Sequence, residues 1–309
     1  MVSRSKILIC DPIHGEGIEK LKEAGFEVDV NPTISHDQLR RGVSEYDALI
    51  VRSRTKVTKE IIEAGKRLKN IGRAGVGLDN IDRETAKKRG ITVLNTPEAP
   101  AEAVAELTMG LILSLARNIP LADSTMKEGK WIKKKLSGWQ LRGKALGTIG
   151  LGNVGLEVAR LARAFGMKIL ITKRTPPAPE VLSELDGEFI PLNEMLPRSD
   201  VVTIHVPLTQ QTHHMIGKEQ IRLMKKGAYL INTSRSAIVN EKALLEALKS
   251  GKLGGAALDV YEEEPPKDST LIRMPNVVCT PHIGAQTEEA QKAAATLIAE
   301  KIIDSLMKD

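Results

Sequence analysis

Gly150-Leu151-Gly152-Asn153-Val154-Gly155 follows the apolar run of residues 145–149 and opens a segment, 154–165, with helical apolar spacing. A bare GxGxxG is weak evidence, but one placed between a strand and a helix is a dinucleotide-binding fingerprint. Gly150 serves a tight turn, Gly152 lets a pyrophosphate approach the backbone, and Gly155 lets the helix pack close to the strand. The helix N-terminus adds unpaired N–H groups and a positive dipole end for the phosphates. The expected cofactor contacts here are Gly150, Gly152, Asn153, Val154 and Gly155. The alternative is a glycine-rich turn of an ordinary α/β domain, and the flanks argue against it.

Upstream, short apolar runs alternate with amphipathic ones. Strands are expected over residues 6–10, 26–30, 47–52, 69–73 and 91–95, and helices over 16–24, 58–65 and 82–89. Such repetition implies α/β architecture, with a parallel sheet covered on both faces. Pro97 and Pro100 mark a break. The helix that follows, 101–117, is apolar around much of its surface and is expected to be buried, between domains or in a subunit contact. From residue 147 a second βα series runs to about residue 281. A last helix, 287–307, is expected to return to the first domain and make it discontinuous.

The 309 residues are enough for two domains. The opening Met1-Val2-Ser3-Arg4-Ser5-Lys6 leads into an apolar run too short for a signal peptide. No apolar run approaches the ~18 residues of a membrane span. A cytoplasmic location without membrane contact is expected. Two cysteines, Cys10 and Cys279, exclude a disulfide framework, and both are read as buried strand residues. No Cys/His spacing suggests a metal site. The net charge of +6 is dispersed apart from the 130–135 cluster, and aromatics make up only 3%, so a base-stacking surface for nucleic acid is not expected.

Three charged residues fall where apolar strands meet loops. Arg235 follows residues 229–234, Glu264 follows 256–261, and His282 follows 277–281. Ligands of open α/β sheets bind beyond the carboxyl ends of the strands, so these loops point at one crevice. The set suits hydride transfer to a 2-oxo acid. Arg235 would grip the carboxylate by two-point contact, His282 would donate a proton to the carbonyl oxygen, and Glu264 would fix the imidazole.

The chain resembles the D-isomer-specific 2-hydroxyacid dehydrogenases, and most closely the phosphoglycerate dehydrogenases. The stretches that carry the likeness are Arg73-Ala74-Gly75-Val76-Gly77-Leu78-Asp79-Asn80, the GLGNVG loop, Asn232-Thr233-Ser234-Arg235, Ala257-Leu258-Asp259-Val260-Tyr261 with Glu264-Pro265-Pro266, and Pro281-His282-Ile283-Gly284-Ala285. The resemblance implies two Rossmann-like, doubly wound domains around a cleft. A flavodoxin-like substrate domain would span 1–98 and 287–309, and a dinucleotide-binding domain 99–286, with the long helix at a homodimer interface. Arg235, Glu264 and His282 are the implied catalytic set. Asp259 is implied at the nicotinamide carboxamide, with His205, Val206, Pro207, Thr233 and Gly284 as further cofactor contacts. The backbone of Gly75, Val76 and Gly77 is implied at the substrate carboxylate. The C-terminal regulatory domain carried by some relatives is not expected here, and neither is serine feedback through one.

Val51-Arg52-Ser53-Arg54-Thr55 looks like the phosphoglycerate dehydrogenase substrate loop. Under strand alternation Arg52 and Arg54 point the same way and could clamp a phosphate, with Ser53 between them. That reading makes 3-phosphoglycerate and 3-phosphohydroxypyruvate the substrate pair. A NAD site usually places Asp or Glu about 20 residues past the glycines, and here that position is Lys173, followed by Arg174 and Thr175. These residues favour NADP over NAD and keep an NADPH-dependent glyoxylate/hydroxypyruvate reductase as the alternative. A more distant alternative is a nucleotide-sensing interaction protein like the dehydrogenase-related corepressors.

Overall fold

The structure, a computed structural model, describes residues 5–267 and 270–308. Met1 to Arg4, part of the leader reading, lie outside the described residues. The chain divides into two compact units, Met1–Ala101 with Ala285–Asp309, and Glu102–Gly284.

The first unit is built on β1 (Lys6–Ile9), β2 (Glu27–Val30), β3 (Ala48–Val51), β4 (Asn70–Arg73) and β5 (Thr92–Asn95). All pairings are parallel, in the order β2-β1-β3-β4-β5. Every residue of β3 is buried, as a parallel strand with both faces covered requires. The final helix, Glu288–Leu306, does return to this unit. Its Ile298 and Ile302 pack with Ile7, Ile9 and Ile50 on one face of the sheet. Its N-terminus is capped by Thr287, whose side chain accepts the Ala290 N–H.

The helix His36–Gly42 was not anticipated, although its signal is in the sequence. Ser35 and Gln38 form a reciprocal capping box, the S-x-x-Q spacing that marks a helix start. The strand expected over 47–52 stops at Val51. Arg52, Ser53 and Arg54 therefore lie in a loop, and the alternation argument for two co-directed arginines does not apply to them.

The second unit is built on β6 (Ala145–Ile149), β7 (Lys168–Thr172), β8 (Gly187–Phe189), β9 (Val201–Ile204), β10 (Ala228–Asn232), β11 (Leu253–Leu258) and β12 (Val277–Cys279). They form a parallel sheet in the order β12-β11-β10-β9-β6-β7-β8. Two apolar clusters cover its faces. The helix Ala101–Arg117 belongs to one of them, burying Ala105, Met109, Ile112 and Ala116 along a single stripe with Leu146, Ile231 and Ala257. Glu102, Glu106 and Arg117 are exposed, so within its unit this helix buries one side. Cys279 corrects a second expectation. It is exposed, because β12 is a three-residue edge strand with a neighbour on one side only.

Candidate active site

The order of the second sheet reverses between β6 and β9, and the fingerprint loop leaves β6 at that reversal. Gly150 adopts φ +93°, and a Cβ there would stand 2.6 Å from the His205 carbonyl oxygen. A Cβ on Gly155 would lie 2.3 Å from the Gly150 carbonyl oxygen, so any side chain at 155 forces the helix off the strand. Gly152 is the N-cap of the helix Asn153–Ala164, no side chain caps that end, and nothing stands within 4 Å of where its Cβ would be. An uncapped 12-residue helix beginning in open space fits a pyrophosphate.

His205 follows β9 directly, its amide donating to the Ile149 carbonyl at 2.8 Å. Its Nε2 lies 2.9 Å from the Thr203 hydroxyl, and burial pushes the imidazole down to about 3. Next to it, the Val206 carbonyl accepts the Ser234 hydroxyl and the Pro207 carbonyl accepts the Thr212 hydroxyl. The Thr233 hydroxyl lies 3.0 Å from that of Thr108, on the long helix. At the end of β7 Lys173 is half-buried and Arg174 and Thr175 are exposed. Neither basic side chain is ion-paired among the described residues.

The three charged residues follow three neighbouring strands, β10, β11 and β12. Strand register aligns Asn232 with Leu258 and Leu258 with Cys279, so the three loops leave the sheet at one level. Buried Asn232 shapes the first loop: its Oδ1 accepts the Ser234 N–H, and its Nδ2 donates to the Arg235 carbonyl. Glu264 is held by the Tyr261 amide at 3.2 Å. His282 meets it through Nδ1, 2.8 Å from Oε2 and 3.0 Å from Oε1. The His282 backbone is left-handed, with φ +53°.

Asp259, 1% exposed, is the anchor of that loop. Its Oδ1 accepts the Thr280 hydroxyl at 2.6 Å and the Ile283 amide at 2.8 Å, and its Oδ2 accepts the Gly284 amide at 2.9 Å. No local sequence pattern announces this anchoring role, because its donors lie 21 to 25 residues away along the chain. Gly284 accordingly spends its amide on Asp259.

In the first unit, the Gly75 N–H donates to the Thr96 hydroxyl at 2.8 Å, which removes it from the implied carboxylate contacts. Val76 and Gly77 have no acceptor for their N–H groups among the described residues, and two adjacent amides of this kind suit an anion. Arg54 is drawn inward to Asp11, 3.0 Å from its Nε. Arg52 reaches the Pro12 carbonyl at 3.3 Å. Among the described residues, no group of three or more His, Cys, Asp or Glu side chains gathers as a metal site. No single helix among them is long and apolar enough to cross a membrane.

Comparison with known proteins adds to this geometry. The sequence profile described as "D-isomer specific 2-hydroxyacid dehydrogenase, NAD binding domain" matches residues 109–284. A D-3-phosphoglycerate dehydrogenase of Methanocaldococcus jannaschii is 52% identical over 96% of this chain and 56% of its own length. The chain spans about half the length of the D-3-phosphoglycerate dehydrogenases it matches. A hydroxypyruvate reductase of Thermotoga maritima is 47% identical over 99% of both chains. The solved structure of a glyoxylate reductase from Paecilomyes thermophila superposes with a TM-score of 0.91 at 30% identity, covering 99% of this chain and 97% of that one.

Proposed function

The chain belongs to the D-isomer specific 2-hydroxyacid dehydrogenase family, and on that premise we propose that it interconverts a D-2-hydroxy acid and its 2-oxo acid, with 3-phosphoglycerate and 3-phosphohydroxypyruvate as the pair. The observation that carries the reading is the His282–Glu264 contact at 2.8 Å. With Glu264 accepting at Nδ1, the ring is oriented and Nε2 is left to carry the proton that passes to the carbonyl oxygen. Arg235, one strand away, grips the substrate carboxylate. A nicotinamide cofactor, when bound, supplies or accepts the hydride. The helix N-terminus at Gly152, Asn153, Val154 and Gly155 holds its pyrophosphate.

The second unit acts as the dinucleotide-binding domain and the first as the substrate-binding domain. Within the first, the Val76 and Gly77 amides and the Arg52 guanidinium form the anion-binding set. NADP is the proposed cofactor, because Lys173 and Arg174 offer positive charge where a carboxylate would repel a 2′-phosphate. The exposed apolar side chains Ile119, Leu121, Met126 and Trp131 support a homodimer, and free thiols at Cys10 and Cys279 suit the cytoplasm.

A second reading, an NADPH-dependent hydroxypyruvate or glyoxylate reductase, is favoured by the inward turn of Arg54, which leaves one arginine rather than two for a phosphate. Reduction of 3-phosphohydroxypyruvate, hydroxypyruvate and glyoxylate, each with NADH and NADPH, separates the two. Preference for the phosphorylated acid supports the first reading. Equal or faster turnover of the other acids transfers the assignment to the second.

A further inference from the structure

The order of the first sheet, β2-β1-β3-β4-β5, reverses between β1 and β3. Open parallel sheets bind ligands at such a reversal, beyond the carboxyl ends of the strands. Asp11 lies just past β1 at that point and is 1% exposed. Its carboxylate is committed entirely to the loop that follows β3. Oδ2 accepts the Arg52 amide and, at 3.2 Å, the Thr55 amide. Oδ1 accepts the Thr55 hydroxyl at 2.7 Å and lies 3.0 Å from Arg54 Nε.

The other side of the loop is held by Asn80, whose Nδ2 donates to the Arg52 and Thr55 carbonyls at 2.7 and 2.6 Å. Arg54 is further tied to the carbonyls of Cys10 and Ile34. The two arginines thus divide their tasks. Arg54 is a strut between loop and sheet, while the Arg52 guanidinium makes a single hydrogen bond among the described residues, to the Pro12 carbonyl.

We propose that Asp11 is a positioning residue for substrate recognition: by accepting the Arg52 and Thr55 amides and pairing with Arg54, it sets the loop so that Arg52 presents its guanidinium to the remote anionic group of the substrate. This rests on the phosphorylated-acid reading above. A carboxylate suits the task because four donors converge on its two oxygens. Asparagine would turn an NH2 toward two of those donors and leave them unpaired in a buried place.

The test measures kcat and KM of the full chain for 3-phosphohydroxypyruvate and hydroxypyruvate, for the wild type and for Asp11→Asn, Arg52→Ala and the double variant. Asp11→Asn should lower the ratio of kcat/KM, phosphorylated over unphosphorylated, about tenfold, mainly through KM. In the Arg52→Ala background it should add almost nothing to that ratio. Thermal melting checks folding. Should Asp11→Asn not fold, Thr55→Val and Arg54→Met carry the test, with the same selective rise in KM expected. If Arg52→Ala lowers the ratio and the loop variants lower both substrates equally, Asp11 only supports the fold and the proposal falls. If Arg52→Ala leaves the ratio unchanged, the phosphorylated-substrate reading fails first and takes the proposal with it.

Discussion

Asp259 holds His282 from both sides without contacting its ring. The carboxylate accepts the Ile283 and Gly284 amides on one side and the Thr280 hydroxyl on the other, while the imidazole turns to Glu264. A buried, fully used carboxylate thereby converts a flexible loop into a platform for one side chain.

Asp259→Asn should therefore cost activity without emptying the cofactor site. An amide cannot accept from all three donors, so the loop loses its register. A fall in kcat of roughly 10²-fold is expected, consistent with a small displacement of a catalytic group. Unchanged kcat would show that the loop is held elsewhere.

Replacing His282 by alanine removes the proposed proton donor. Turnover should drop by about 10²–10⁴-fold, with nicotinamide binding, followed by fluorescence, nearly unaltered. Rates close to wild type would assign the proton to another group.

Lys173→Asp combined with Arg174→Ala should shift the ratio of kcat/KM values from NADPH toward NADH. Both side chains stand at the end of β7 without an ion-paired carboxylate among the described residues, so their charge is available to a 2′-phosphate. A constant cofactor ratio would place them in solvent only.

Gly155→Ala tests the packing beneath the fingerprint. The new methyl group would meet the Gly150 carbonyl at 2.3 Å, and backbone cannot yield as a flexible side chain can. A loss of about 1–3 kcal/mol or more is expected from overpacking, read as a lower melting temperature together with weaker cofactor binding. Full stability would mean that the helix can move away from the strand at no cost.

His205 gives the fold a pH dependence of known sign. Its imidazole titrates near 6.5 when free and at about 3 in the folded protein. Below pH 6.5 the unfolded chain takes up a proton that the folded one refuses, so this contribution to stability is complete above 6.5 and declines as pH falls toward 3. Denaturant unfolding of His205→Asn between pH 7 and pH 4.5 should show a flatter decline than wild type. Parallel curves would remove His205 from the cause.

Much of this was legible in the residues. The run Ala48-Leu49-Ile50-Val51 reads as a covered strand, and GLGNVG reads as a strand-to-helix turn, because side-chain periodicity and glycine spacing are local properties. Arg235, Glu264 and His282 stand out as candidates for the same reason, each lying in the loop after an apolar run. The helix His36–Gly42 was equally local, its Ser35–Gln38 box being readable in advance.

What local chemistry could not supply was the partner of each charged group. Arg52 and Arg54 look equivalent in the chain, and only the proximity of β1 to β3 brings Asp11 to Arg54 and divides their roles. Asp259 lies far from the Thr280–Gly284 loop in sequence, and only the pairing of β11 with β12 brings the two together. Cys279 looked buried because alternation reports the face of a strand and not whether the strand is at an edge. The chain's periodicity settles which elements form and which faces they bury. The choice among polar groups waits for sheet order, because hydrogen bonds form between neighbours in space, and sheet order makes those neighbours.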